Sequence, residues 1–211
     1  MRDYYTRYPR PILWLIPAGS VTMESFGGEP VEIAVQPFYL SKLPVTNEQY
    51  DAFDPDHERD ARWPGDRDPV TRVSWEGAHA YCRWYAEIAR KPIRLPSDAE
   101  WEHACRAGAR RRFFFDDESE AGEYLLDREA TGGRLVPLEE TRPNPHGLHG
   151  MLGGVWEWVA SEPGPSGSRP LRGGSFLTPR DEIGCGARRM AAVDLRAADV
   201  GFRIAKSLRT P

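Results

Sequence analysis

Val73–Pro92 reads VSWEGAHAYCRWYAEIARKP. Within it Trp75, Ala78, Cys82, Tyr85 and Ala89 recur at alternating spacings of three and four, the repeat that gathers side chains on one face of an α-helix. Ser74 is a natural N-cap, since its short side chain accepts a bond from a first-turn amide, and Pro92 cannot continue the helix. Cys82 lies on the apolar stripe and reads as a buried structural thiol, whereas His79 lies off it and reads as a surface residue.

A second helix follows in LPSDAEWEHACRAG, Leu95–Gly108. Ser97 and Glu100 have the spacing of a capping box, and Gly108 can take the left-handed conformation that ends a helix. Trp101, Ala104 and Cys105 share a face, so Cys105 also reads as core. On the N-terminal side, Ile12–Ile16, Val21–Met23, Val31–Val35 and Phe38–Leu40 are short apolar or alternating runs separated by turn residues at Pro17–Gly19 and Gly27–Pro30, the pattern of antiparallel strands. Thr46 and Gln49 form another capping box and start a short helix. Asp54–Pro69 is a charged, proline-bearing loop. Asp54, Asp56, His57, Glu58 and Asp60 read there as an exposed acidic loop, since nothing fixes a coordination geometry.

Beyond the second helix, Gly108–Pro145 is irregular. Asn144–Ser161, NPHGLHGMLGGVWEWVAS, is turn-rich and runs into a strand-like VWEWV; His146 and His149 lie on its glycine-rich part without a third zinc ligand. LRGGSFLT and VGFRIA read as two short strands separated by a loop-rich excursion, and Ser161–Ser168 as a surface loop. No repeat or flexible linker divides the chain, so residues 1–211 read as one α+β domain.

Composition narrows the function. A net charge of −4 argues against nucleic acid as a partner. The cluster Arg110–Arg112 is followed by Phe113–Phe115 and then Asp116, Asp117 and Glu118, which read as cancelling its field locally. No apolar run approaches the roughly 20 residues that span a membrane, and Ile12–Ile16 is too short and proline-flanked for a signal peptide, so a soluble cytoplasmic protein is expected. Cys82, Cys105 and Cys185 are too few for a disulfide framework and match no zinc spacing. Asn and Gln are scarce beside 19 prolines, a bias that a hot-growing source selects and that a GC-rich genome also gives.

Taken in order, ILWLIPAGSVTM, PFYLSKLPVTNEQYDAF, PVTRVSWEGAHAYCRWYAE, IRLPSDAEWEHACRAG, NPHGLHGMLGGVWEWVAS, RPLRGGSF and VGFRIA resemble the formylglycine-generating-enzyme, or sulfatase-modifying-factor, family from about Leu13 to Ala205. The resemblance implies a variant of the C-type-lectin fold, with little regular secondary structure, a twisted antiparallel sheet and two main helices. In it Trp75, Trp101, Trp156 and Trp158 bury large areas. It leaves function open. The family holds copper-dependent oxidases that make formylglycine from cysteine, iron-dependent sulfoxide synthases with an added helical domain, non-catalytic binders, and the variable proteins of diversity-generating retroelements.

Site residues discriminate among these. The oxidases hold Cu(I) with two thiolates placed shortly after the Gly-Gly-Ser motif. Counted from Gly173-Gly174-Ser175, those positions fall here on Thr178 and Ile183. Cys185 aligns with a core position of the family and reads as packing, and no pattern brings Cys82 or Cys105 to it. The five histidines do not cluster into the synthase iron site. The family's calcium sites keep Glu157 here but have Gly150 and Gly154 in place of asparagine, and Tyr124–Asp127 offers only a displaced aspartate, so no tight calcium is expected. Ser175 lacks an elbow and a base and reads as a turn-stabilising hydroxyl.

The resulting expectation is a non-catalytic module that binds a protein or a small molecule, with no cofactor, no copper and no nucleic-acid or membrane partner. Its binding face is the irregular segment at about 176–199, with Leu177, Thr178, Glu182, Arg189, Ala192, Leu195 and Ala198 as ligand contacts and Arg188, Asp194, Arg196 and Phe202 as framework. A retroelement variable protein is one such module. The alternatives are a copper-dependent oxidase with an atypical site and an accessory subunit of an enzyme complex.

Overall fold

The computed structural model describes residues 8–23, 29–162, 164 and 167–208. Gly27 and Gly28 of the second expected turn, and Pro163, Pro165 and Ser166 of the Ser161–Ser168 loop, lie outside the described residues. Four strands open the chain, β1 (Leu13–Ile16), β2 (Gly19–Met23), β3 (Val31–Val35) and β4 (Phe38–Ser41), each where a short apolar run was expected. Helices α1 (Asn47–Asp51) and α2 (Trp75–Ala89) follow, then β5 (Ile93–Arg94) and α3 (Asp98–Arg106). The irregular middle holds only the single turns α4 (Ala121–Tyr124) and α5 (Arg128–Thr131), besides brief 3-10 turns. Strands β6 (Trp156–Trp158), β7 (Arg169–Arg172), β8 (Arg188–Ala191), β9 (Val200–Phe202) and β10 (Ala205–Ser207) complete the fold.

Local chemistry sets the two main helices. Ser74 Oγ accepts from the Gly77 amide at 3.1 Å, and α2 ends on Arg90 in the left-handed region at φ 50°. At α3 the capping box is complete: Glu100 accepts from the Ser97 amide at 2.7 Å, and Ser97 Oγ accepts from the Glu100 amide at 3.1 Å. Arg94 then clamps the Glu100 carboxylate from β5 with two bonds of 2.6 and 2.7 Å. The left-handed end expected at Gly108 begins one residue earlier, at Ala107 with φ 46°, whose amide closes onto the His103 carbonyl.

The α+β class and the two main helices agree with expectation. The antiparallel pairing is spread over a sheet of order β1-β4-β10-β5, the hairpin β2-β3 and a sheet of order β8-β7-β6-β9, in which β6 and β9 run parallel. The excursion between Gly-Gly-Ser and VGFR is less irregular than expected, because β8 pairs with β7 within it and places Arg188 opposite Arg172. Asp60, expected in an exposed loop, is buried and bonds both Arg62 and Arg72 at 2.8 and 3.1 Å.

Two core clusters result, one around α3 and the hairpin, the other around α2 and β6–β9. Trp101 and Trp158 are fully buried, each contributing about 2–3 kcal/mol by burial. Their indole N–H groups donate to Glu157 at 2.6 Å and to the Val73 carbonyl at 2.8 Å. Cys82 lies in the α2 cluster as expected, with its thiol pushed up by burial.

The two other cysteines overturn the expectation of isolated core thiols. Cys105, in the last turn of α3, is disulfide-bonded to Cys185, 80 positions away, with Cα atoms 5.5 Å apart. The approach is non-local: the Cys185 amide donates to the Arg112 carbonyl at 2.9 Å, so the turn after α3 lines up with the 183–185 loop. Sequence spacing carries no trace of that pairing.

Candidate functional site

The C-terminal segment is launched from β7 by Gly173 and Gly174, both left-handed at φ 94° and 84°. A Cβ on Gly174 would lie 2.8 Å from Ile183 Cγ1, so only glycine lets the chain double back against Ile183. Ser175, expected as a turn-stabilising hydroxyl, organises the turn. Its amide donates to Thr178 Oγ1 at 2.9 Å, and its hydroxyl donates to Asp199 at 2.7 Å and accepts from the Leu177 amide at 3.2 Å.

This geometry divides the seven expected contacts. Leu177 is 43% exposed, and Glu182, Arg189 and Ala192 also face solvent. Arg189 lies over the Trp156 ring, 4.9 Å from its centroid. Leu195 and Ala198 are half-buried, and Leu195 packs against the α2 core. Thr178 is only 6% exposed and its oxygen is engaged by Ser175, so it belongs to the framework. Among the expected framework residues, Phe202 is buried and Arg188 pairs with Asp98 at 2.7 Å, but Asp194 and Arg196 are exposed.

Beside this segment lies a cleft of about 1040 Å³. One wall is β2, the floor is the C-terminal half of α3 with Arg172, and the other wall is Arg110–Arg112 with residues 182–188. Of the expected contacts only Glu182 lines it. Its floor is an ion network: Arg172, 1% exposed, pairs with Glu102 and with Asp98 at 3.0 Å, and Arg106 pairs with Glu102 at 2.6 Å. Burial pushes the Asp98 carboxyl up, with Arg172 and then Arg188 opposing the shift. Gly184 and Gly186, which flank Cys185, leave room for the arginines: a Cβ on Gly184 would lie 2.9 Å from Arg112 Cγ, and one on Gly186 would lie 3.3 Å from Arg106 Nη2.

The local cancellation expected for Arg110–Arg112 holds for one residue. Arg111 pairs with Asp116 at 2.6 Å. Arg112 turns to backbone carbonyls, those of Ile183 at 2.7 Å and Arg180 at 2.5 Å, and Arg110 has no bonding partner among the described residues. Reading the run of acids as neutralising missed the cleft, because sequence neighbours are not the spatial ones.

With the geometry in hand, the comparisons with known proteins are decisive for family. The model of the sulfatase-modifying factor enzyme 1-like domain matches residues 5–208. The chain belongs to this family. A formylglycine-generating enzyme of Streptomyces coelicolor is 34% identical over 171 residues, covering 65% of this chain and 52% of that protein. The inactive C-alpha-formylglycine-generating enzyme 2 of Mus musculus is 32% identical over 161 residues, covering 68% of this chain and 50% of that protein. The chain thus spans about half the length of these relatives. PvdO from Pseudomonas aeruginosa superposes with a TM-score of 0.82 at 25% identity, covering 94% of this chain and 95% of PvdO. Treponema denticola variable protein 1 has the same fold, with a TM-score of 0.79 at 19% identity and coverage of 92% and 94%.

The family's metals can be tested on the donors of this sulfatase-modifying-factor domain. At the copper positions, Thr178 offers a buried, bonded hydroxyl and Ile183 a buried hydrocarbon, neither a soft ligand. The domain's thiols lie elsewhere, two in the disulfide and Cys82 in the other core. At the calcium position, the Glu157 carboxylate accepts from Trp101 and Arg203 at 2.6 Å and again from Arg203 at 2.7 Å, so a cation would have to displace a buried guanidinium. Asp127 is likewise committed, to the Ala130 amide at 2.6 Å and Arg180 at 2.7 Å. His149 Nδ1 contacts the Thr141 carbonyl at 2.8 Å, and the His146 ring lies tilted against that of His103, 5.9 Å between ring centroids. These donor sets fit neither metal.

Proposed function

We propose that this domain is a non-catalytic binding module that presents its C-terminal segment, residues 176–199, to a protein or small-molecule ligand. One observation carries the reading: the positions where the family's oxidases need thiolates are Thr178 and Ile183, and every cysteine of the chain is committed elsewhere. The 32% identity to an inactive mouse relative supports it. Leu177, Glu182, Arg189 and Ala192 are its solvent-facing contacts, with Leu195 and Ala198 at the margin and Thr178 holding the loop shape. The Cys105–Cys185 bond favours folding in an oxidising compartment over the reducing cytosol first expected.

The test is chemical. Purified protein is loaded with Cu(I) and incubated aerobically with a cysteine-containing peptide, and the peptide is searched for aldehyde by mass spectrometry. No copper-dependent aldehyde is expected; turnover would establish the oxidase reading suggested by the Streptomyces relative instead. The narrower reading as a retroelement variable protein is tested in the genome. A near-copy of the DNA encoding residues 176–199, differing at adenines and beside a reverse-transcriptase gene, is its signature, and its absence leaves a general binding or accessory module.

A further inference from the structure

We propose that the arginine-lined cleft binds an acidic peptide segment of a protein partner in extended conformation, added as a strand to the outer edge of β2. The inference goes beyond the proposed binding segment, of whose contacts only Glu182 lines the cleft, and rests on the non-catalytic reading only in assuming that the domain's role is recognition.

The first observation is the strand edge. β2 pairs with β3 alone, and among the described residues no hydrogen bond joins its other edge to the protein. Ser20, Val21, Thr22 and Met23 all line the cleft. Side chains of a strand alternate between faces, and residues of both faces of β2 border the cleft together with Glu32 of β3, so the cleft runs along the β2 edge and onto the adjoining hairpin face. An edge with open amides and carbonyls is a template for another strand, and main-chain bonding of this kind captures peptides in extended form.

The second observation is charge. Six arginines and three glutamates line the cleft, in a chain of net charge −4. Asp98 and Asp116 behind the walls offset two more arginines, and an excess of positive charge remains. Two cleft arginines have no carboxylate partner among the described residues: Arg110, which has no bonding partner there, and Arg112, which donates to the carbonyls of Ile183 and Arg180. Guanidinium groups bind carboxylates through paired charge-assisted bonds, which selects acidic side chains. At about 1040 Å³ the cleft has room for a short peptide segment.

The experiment uses the full chain and fluorescence anisotropy with three labelled hexapeptides, alternating Glu-Val, Gln-Val and Lys-Val. Glu-Val is expected to bind about tenfold or more tightly than Gln-Val, and Lys-Val not at all. Arg110→Glu with Arg112→Glu should weaken Glu-Val by about tenfold, and Arg110→Glu alone, at an exposed residue without partners, should weaken it without disturbing the fold. Methylating alternate amides of the Glu-Val peptide should also weaken it, since strand addition uses those groups. Equal binding of Glu-Val and Gln-Val overturns the proposal, as does insensitivity to both arginine variants. Displacement by citrate as effective as by peptide, with no effect of amide methylation, overturns it in favour of a small-anion site. Failure of Glu-Val to bind discards this ligand class while leaving the copper and aldehyde assay to decide whether the domain is non-catalytic.

Discussion

Gly174 is where a single atom decides the shape of the C-terminal segment. Its φ of 84° is a left-handed conformation, and a methyl group there would press on Ile183. Gly174→Ala should lower the free energy of urea unfolding by about 1–3 kcal/mol. Ile183→Ala in the same background should be less than additive, because it relieves the contact and leaves only the backbone cost. Glu157 and Arg203 make the second residue-scale case. The pair is buried, and Arg203 also holds the Ser41 and His149 carbonyls at 3.0 and 3.1 Å. Glu157→Gln should cost about 3–5 kcal/mol by leaving a buried guanidinium unpaired. Calcium or EDTA should leave the melting temperature of the parent protein unchanged, since Arg203 occupies the carboxylate that a cation would need; a rise with calcium would show that the ion displaces it.

Helix α3 gathers the site. Asp98 in its first turn bridges Arg172 and Arg188, which β7–β8 pairing sets directly opposite each other. Like charges in that register repel. Asp98→Asn should therefore destabilise by about 3 kcal/mol in urea melts and loosen the cleft floor. A loss no larger than that of an exposed substitution would mean that solvent already screens the arginines. Helices α2 and α3 were legible in the sequence because caps and stripes are local: Ser74, Ser97 and Glu100 act within one turn of themselves. The first four strands were legible from apolar runs between turn residues. Strand β8, the parallel β6–β9 pair and the arginine cleft were not, because each depends on partners far along the chain, as Arg112 does on Ile183 and Arg172 on Glu102. The burial of Thr178 was not legible for the same reason, since it follows from the fold of the Ser175 turn.

For the molecule as a whole, acid should weaken the fold before bulk carboxylate protonation does. Burial lowers His57, His146 and His149 from the ordinary 6.5, so they stay neutral in the fold while an unfolded chain takes up their protons. Their stability contribution is complete above about pH 6.5 and lost as pH falls below it, which urea melts between pH 7.5 and 5 should read as a falling midpoint. The disulfide acts at the same scale. It joins residues 80 apart and ties α3 to the segment proposed to bind ligand. Closing a loop of that length restricts the unfolded chain by about 4 kcal/mol in the chain-entropy account. Cys105→Ala with Cys185→Ala should lower unfolding free energy by about that amount, and reductant should do the same to the parent protein. Thiol titration supplies the control. Cys82 is fully buried and unpaired, so native protein should show no reactive thiol and denatured, unreduced protein one. Three thiols after denaturation would mean that the protein folds reduced, with Cys105 and Cys185 side by side in the core, and its expected home would return to the cytosol.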